Sequence, residues 1–125
     1  MIEQNLTYKK ESISEKLAVF RLSGKILNSW DAKHLKEEIE TLAHTPELDN
    51  VIFVLSELIY MTSSGLNCLL FCLTKLRNNA KELTLCEVSE KVENLLIITK
   101  LNTVFTVYKT MQEAIQSTEI KTIKQ

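Results

Sequence analysis

Two glycines, Gly24 and Gly65, and one proline, Pro46, are all the backbone punctuation in 125 residues. Two glycines cannot build a glycine-rich phosphate loop or a dinucleotide fingerprint, so neither motif is present and no cofactor is expected. Nor is there a Pro/Gly linker, an internal repeat or a low-complexity tract. Cysteine is equally sparse. Cys68, Cys72 and Cys86 are an odd set without a secretion signal, which argues against a disulfide framework. Cys68 and Cys72 stand on one helical face, but the two histidines, His34 and His44, lie far from them in sequence. The pair reads as small buried hydrophobes, and no metal site is expected. Charge of one sign is lacking too: 15 basic and 16 acidic residues leave a net −1. Nucleic acid and anionic membranes therefore gain no electrostatic support, and Lys9, Lys10, Lys121 and Lys124 read as solvated surface. The apolar run Val51–Leu55 is far short of the roughly 20 residues of a membrane span. Met1–Asn5 lacks the basic-then-apolar layout of a signal peptide. The expectation is a cytoplasmic protein without direct membrane insertion and without a nucleic-acid partner.

What is present is an ordinary globular composition, 45% hydrophobic and 25% charged. A chain of this size buries roughly two-thirds of its unfolded surface, enough for one core without staples. The chain divides into one domain over residues 1–116 and a flexible tail over 117–125.

Leu17–Leu22 is a short β-like run ending at Ser23-Gly24, with Leu6–Lys10 as its hairpin partner and the polar residues 11–16 as the turn. Asn28-Ser29-Trp30-Asp31 predicts a helix start, capped by Asn28 or Ser29 with acids in the first turn. Leu35, Ile39, Leu42 and Ala43 give that helix one apolar face, and Pro46 ends it. Val51–Leu55 reads as a central strand buried on both faces, followed by a link over Ser56–Met61. Thr62-Ser63-Ser64-Gly65 opens a helix whose inner face is Leu66, Leu69, Leu70, Leu73 and Leu76, ending at Asn78-Asn79. Leu83–Cys86 is a strand. Ser89 caps a helix with Val92, Leu95, Leu96 and Thr99 inward. Val104–Tyr108 is a last strand, and Thr110-x-x-Glu113 is a capping box for a final helix. The order β-β-α-β-α-β-α-β-α predicts an α/β domain with a mixed, mostly parallel sheet. Trp30 is expected in the core, since tryptophan is highly buried on average. An exposed anchor is its other role.

The segment Thr62–Leu66 joins the most hydrophobic strand to its helix. Helix N-termini offer free N–H groups and the positive dipole end. A serine there can cap the helix, or carry a phosphate that those groups favour. Nothing local makes Ser63 or Ser64 a hydrolase nucleophile, because Gly-x-Ser-x-Gly is absent and His34 and His44 are not placed near it. No catalytic residue is assigned, and the chain reads as a non-enzyme.

From about Leu17 to Ala114 the chain resembles the STAS domain, and within it the bacterial anti-sigma factor antagonists. Leu22-Ser23-Gly24-Lys25-Ile26 is similar to the family's Leu-Ser-Gly-x-Leu segment, and Met61–Leu66 to its Asp-Ser-Ser-Gly-Leu loop. Val88-Ser89 with Val92, then Thr99–Phe105 and Glu113-Ala114, are similar to its later elements. The resemblance implies a STAS-like mixed sheet with helices mainly on one face. It also implies a partner, an anti-sigma factor with serine kinase activity: binding it frees the sigma factor and so regulates transcription, and the kinase phosphorylates the first serine of the loop, which breaks the complex. A serine phosphatase restores it. By position that serine is Ser63, with Thr62 and Ser64 as alternatives, and Thr62 can itself cap the helix. The partner surface so implied comprises Gly24, Lys25 and Asn28 with Thr62, Ser63, Ser64, Gly65, Leu66 and Asn67. Three positions depart from the family: Thr62 stands for the usual Asp, Val54 for a frequent Asp, and Asn67 for a usual Gly. The missing acid at Thr62 motivates the alternative, a non-phosphorylated STAS scaffold or a subunit of a transport or stress-signalling complex.

Overall fold

Val51–Leu55 lies at the centre of a five-stranded sheet, as its continuous apolar run requires. The structure, a computed structural model, describes residues 4–123. In chain order the elements are β1 (Leu6–Ser14), β2 (Leu17–Ile26), α1 (Lys33–Ala43), β3 (Asn50–Met61), α2 (Ser63–Asn78), β4 (Glu82–Cys86), α3 (Glu90–Ile98), a 3₁₀ turn (Leu101–Thr103), β5 (Thr106–Tyr108) and α4 (Met111–Ile123). The sheet runs β1-β2-β3-β4-β5, with β1 antiparallel to β2 and every other pair parallel. Three successive parallel connections of one hand put α1, α2 and α3 on the same face. There Leu35, Ile39, Leu69, Leu73, Val92 and Leu96 meet the inward side chains of the strands. Phe20 and Phe53 pack edge-to-face at 5.7 Å in that core, a geometry worth roughly 0.5–1.5 kcal/mol beyond burial. On the opposite face α4 covers Leu17, Val19, Ile52 and Val54, with Ala114, Met111 and Ile115. The mixed α/β architecture with helices mainly on one face is thus the one expected.

Several local expectations are corrected. β1 continues to Ser14, so the turn is Glu15-Lys16 rather than residues 11–16. Its polar composition reflects an edge strand, exposed along most of its length. β2 runs through Ser23-Gly24 to Ile26. The stretch Ser56–Met61 is not a link but the second half of β3. Pairing advances from Arg21↔Val54 to Ser23↔Glu57 and from Gly24↔Leu58 to Lys25↔Tyr60, so β3 carries two bulges. Each adds one exposed residue, and the inward spacing becomes three: Leu55, Leu58 and Met61 stay buried while Ser56, Glu57, Ile59 and Tyr60 face out. Val104 and Phe105 precede β5 instead of forming it, with Phe105 N–H donating to Leu101 O at 3.0 Å. Finally, α4 continues past Ser117, with Thr118 buried, to Ile123.

Candidate functional site

The C-terminal ends of β2 and β3 lie side by side and deliver two loops to one edge of the sheet. Gly24 has φ +98°, and a Cβ there would stand 2.3 Å from Asn5 O, so only glycine fits. Lys25 N–H donates to Asn5 O at 3.1 Å while the residue itself stays exposed. The chain then turns at Asn28. Neither Asn28 nor Ser29 caps α1: the Asn28 carboxamide oxygen accepts the Asp31 N–H at 3.2 Å, closing a turn before the helix. Ala32 is the N-cap, without a side-chain bond, and the first turn of α1 holds no acid.

Asp31 is instead the buried centre of this edge, 2% exposed. Its carboxylate accepts the Asn5 N–H at 3.0 Å, the Asn5 side-chain amide at 3.1 Å and the Leu27 N–H at 2.9 Å. Burial by itself would raise its pKa. The hydrogen bonds from Asn5 and Leu27 outweigh burial, and the carboxyl is held below its ordinary value. In the local sequence Asp31 is indistinguishable from a first-turn helix acid, since its partner Asn5 is 26 residues away. Trp30, expected in the core, is 45% exposed beside it.

Thr62, not a serine, caps α2. Its hydroxyl accepts the Gly65 N–H at 3.0 Å and donates to Leu27 O at 2.7 Å, tying the start of α2 to the end of β2. Gly65 sits directly on that strand, where a Cβ would stand 2.1 Å from Ile26 O. Leu66 is buried at 1% exposure. Of the loop residues, then, Thr62, Gly65 and Leu66 hold the helix in place, and Ser63, Ser64 and Asn67 face outward. Among the described residues the hydroxyls of Ser63 and Ser64 have no hydrogen-bond partner. The Ser63 and Ser64 N–H groups belong to the first helical turn, where intrahelical acceptors are lacking.

Asn28, Ser64 and Asn67 border a hollow of about 460 Å³ between the two loops, closed by Lys36, Cys68 and Phe71. The Cys68 thiol donates to Ser64 O at 3.6 Å, and burial pushes its pKa up. Cys72 and Cys86 are buried more deeply, and burial pushes each to about 12. No histidine lines the hollow: His34 pairs with Glu37 at 3.4 Å on α1. The arrangement offers exposed hydroxyls and a helix N-terminus, but among the described residues no base is aimed at either serine. Among the described residues, no helix is long and apolar enough to cross a membrane, and no group of three His, Cys, Asp or Glu side chains is placed to hold a metal.

This geometry has counterparts. The structure of the anti-sigma factor antagonist SpoIIAA in its unphosphorylated form superposes with a TM-score of 0.77 at 21% identity, covering 90% of this chain and 96% of that one. The phosphorylated form of the same Bacillus protein gives 0.71 at 20% identity, with 90% and 99% covered. A putative anti-sigma factor antagonist from Thermotoga maritima gives 0.72 at 22% identity, over 88% and 92%. The murine anion transporter Slc26a9 gives 0.71 at 8% identity; 94% of this chain is covered but only 22% of the transporter. These likenesses establish a shared fold. The family model for the STAS domain matches residues 7–114. By that match across most of its length, the chain belongs to the STAS domain family.

Proposed function

We propose that this protein is a cytoplasmic anti-sigma factor antagonist, without enzymatic activity or cofactor of its own. It binds an anti-sigma factor that is also a serine kinase, and phosphorylation of Ser63 switches it off. A serine phosphatase reverses the switch. The observation that carries this reading is the division of labour at the start of α2: Thr62 has its hydroxyl bonded on both sides, while Ser63 next to it is exposed with its hydroxyl free among the described residues. Ser63 is therefore preferred to Thr62 as acceptor, and Ser64 is the remaining alternative. That SpoIIAA has been seen in phosphorylated and unphosphorylated forms supports the same reading.

The energetics suit a release switch. A phosphate on the first turn of α2 is favoured locally by roughly 0.3–1 kcal/mol. It also adds roughly −1.5 to −2 charge to the surface shown to the partner. In a packed interface an unpaired charge costs several kcal/mol, and about 1.4 kcal/mol is tenfold in affinity. Exposed Lys25, Asn28, Ser63, Ser64 and Asn67 are the contact residues, and Gly24, Thr62, Gly65 and Leu66 hold them in place. Binding of Ser63→Ala and Ser63→Asp to the host's anti-sigma kinase tests this: Ala is expected to bind as tightly as the wild type and Asp at least tenfold more weakly. Equal tight binding by both contradicts charge release.

The second reading is a STAS scaffold that is never phosphorylated, within a transport or stress-signalling complex. Thr62 in place of the family's Asp and the likeness to part of Slc26a9 favour it. It predicts a stable multi-subunit complex indifferent to ATP. Recovery of only an ATP-dependent kinase with the tagged protein counts against it.

A further inference from the structure

Next to the Ser63 loop, the α1–α2 face carries cations lying over bare aromatic rings. Phe71 is 36% exposed, and Trp30 is more open still. Lys33 Nζ lies 5.2 Å from the centroid of the Trp30 ring. Lys36 and Lys75 Nζ lie 5.5 and 5.7 Å from that of Phe71. Lys33 and Lys36 are one helical turn apart and share a face of α1, so the five residues form one stripe. The 460 Å³ hollow opens into it through Lys36 and Phe71, and adds the amides of Asn28 and Asn67.

The charge of this stripe differs from that of the chain. The protein carries a net −1, yet three ammonium groups converge here. One carboxylate, Glu40, pairs with Lys75 at 3.4 Å. Among the described residues Lys33 and Lys36 have no carboxylate partner. Exposed aromatic rings are the usual anchors of protein interfaces, and lysine stems lying over them can swing out to meet an incoming carboxylate.

We propose that the stripe Trp30–Lys33–Lys36–Phe71–Lys75 is a docking surface for an acidic segment of a protein partner. Carboxylates meet the three ammonium groups, and apolar side chains seat on Trp30 and Phe71. Charge complementarity decides the occupant. A flat bilayer cannot seat in the concave hollow that borders the stripe, whereas side chains of a protein segment can enter it and meet the amides of Asn28 and Asn67. The inference takes only the identity of the partner, the anti-sigma factor, from the proposed function; it does not require phosphate on Ser63.

Trp30 is the only tryptophan, so its emission reports directly on the stripe. The full chain is titrated with a synthetic Glu/Leu peptide, with Gln/Leu and Lys/Leu peptides as controls, and separately with phosphatidylglycerol vesicles. The expected result is a saturable blue shift with the Glu/Leu peptide alone, weakening as salt rises from about 50 to about 200 mM. Lys36→Gln with Lys75→Gln is expected to weaken it at least tenfold, and the Arg pair at the same positions to restore it. The titration uses unphosphorylated protein and no kinase, so failure of the phosphorylation switch and failure of this surface are read separately. An absent shift, an equal shift with the Gln/Leu peptide, or insensitivity to the lysine pair overturns the proposal. A response to the vesicles but not to the peptide overturns it in favour of a membrane surface.

Discussion

The hydroxyl of Thr62 donates to Leu27 O at 2.7 Å while accepting the Gly65 N–H at 3.0 Å, so one side chain joins the two loops of the candidate site. Thr62→Val keeps the shape and removes both bonds. Loss of an N-cap costs about 1 kcal/mol, and the half-buried Leu27 carbonyl loses its partner as well. We expect a loss of about 1–3 kcal/mol in urea unfolding, with Thr62→Ser recovering most of it. A change of only a few tenths for Thr62→Val would show that the cap is not what positions α2.

Gly65 presses on Ile26 O, and backbone cannot move aside as a flexible side chain can. A Cβ 2.1 Å from that oxygen forces α2 away from β2. Overpacking of this kind costs typically about 1–3 kcal/mol. Gly65→Ala is expected to reach at least the upper end of that range, with a matching fall in thermal midpoint. Gly65→Ala as stable as the wild type contradicts the close approach.

Asp31 makes stability depend on acid. Its carboxyl is held below the ordinary value of 3.8, so the folded state binds the proton less readily than the unfolded chain. The stabilisation is fully present above pH 3.8 and is lost as pH falls through the folded-state value. Asp31→Asn keeps the size but turns donors toward the N–H groups of Asn5 and Leu27, for an expected loss of about 1–3 kcal/mol at neutral pH. Its stability falls less steeply below pH 4 than that of the wild type. Parallel acid-unfolding curves for the two proteins would assign the acid sensitivity elsewhere.

The three thiols are expected to be inert in the folded protein, because burial keeps Cys72 and Cys86 protonated to about pH 12 and also raises Cys68. Iodoacetamide at pH 8, followed by peptide mass spectrometry, should leave all three unmodified natively and modify all three in guanidinium. Rapid native labelling of Cys72 would contradict its burial.

Periodic features were legible in the sequence. The inner faces of α1 and α2, the Ser89 cap, whose hydroxyl accepts the Val92 N–H at 3.3 Å, and the Thr110 cap, whose hydroxyl accepts the Glu113 N–H at 3.1 Å, all stand where side-chain spacing puts them. What could not be read was set by contacts distant in sequence. The two bulges of β3 break the two-residue period, so Ser56–Met61 looked like a link although β2 pairs with it. Asp31 reads as a helix acid because Asn5, its partner, stands 26 residues away, just before β1. Trp30 looked like core because its size outweighs its place in a turn. At the site, Ser63 and Ser64 are indistinguishable from caps in sequence; the two bonds of Thr62 separate the cap from the exposed serines.

The most direct measurement is phosphopeptide mass spectrometry of the protein isolated from its host, in growth and under stress. The account predicts phosphate on Ser63 whose occupancy changes between the two conditions. A Thr62–Asn67 segment unmodified in every condition would contradict it, leaving the non-phosphorylated scaffold as the reading that remains.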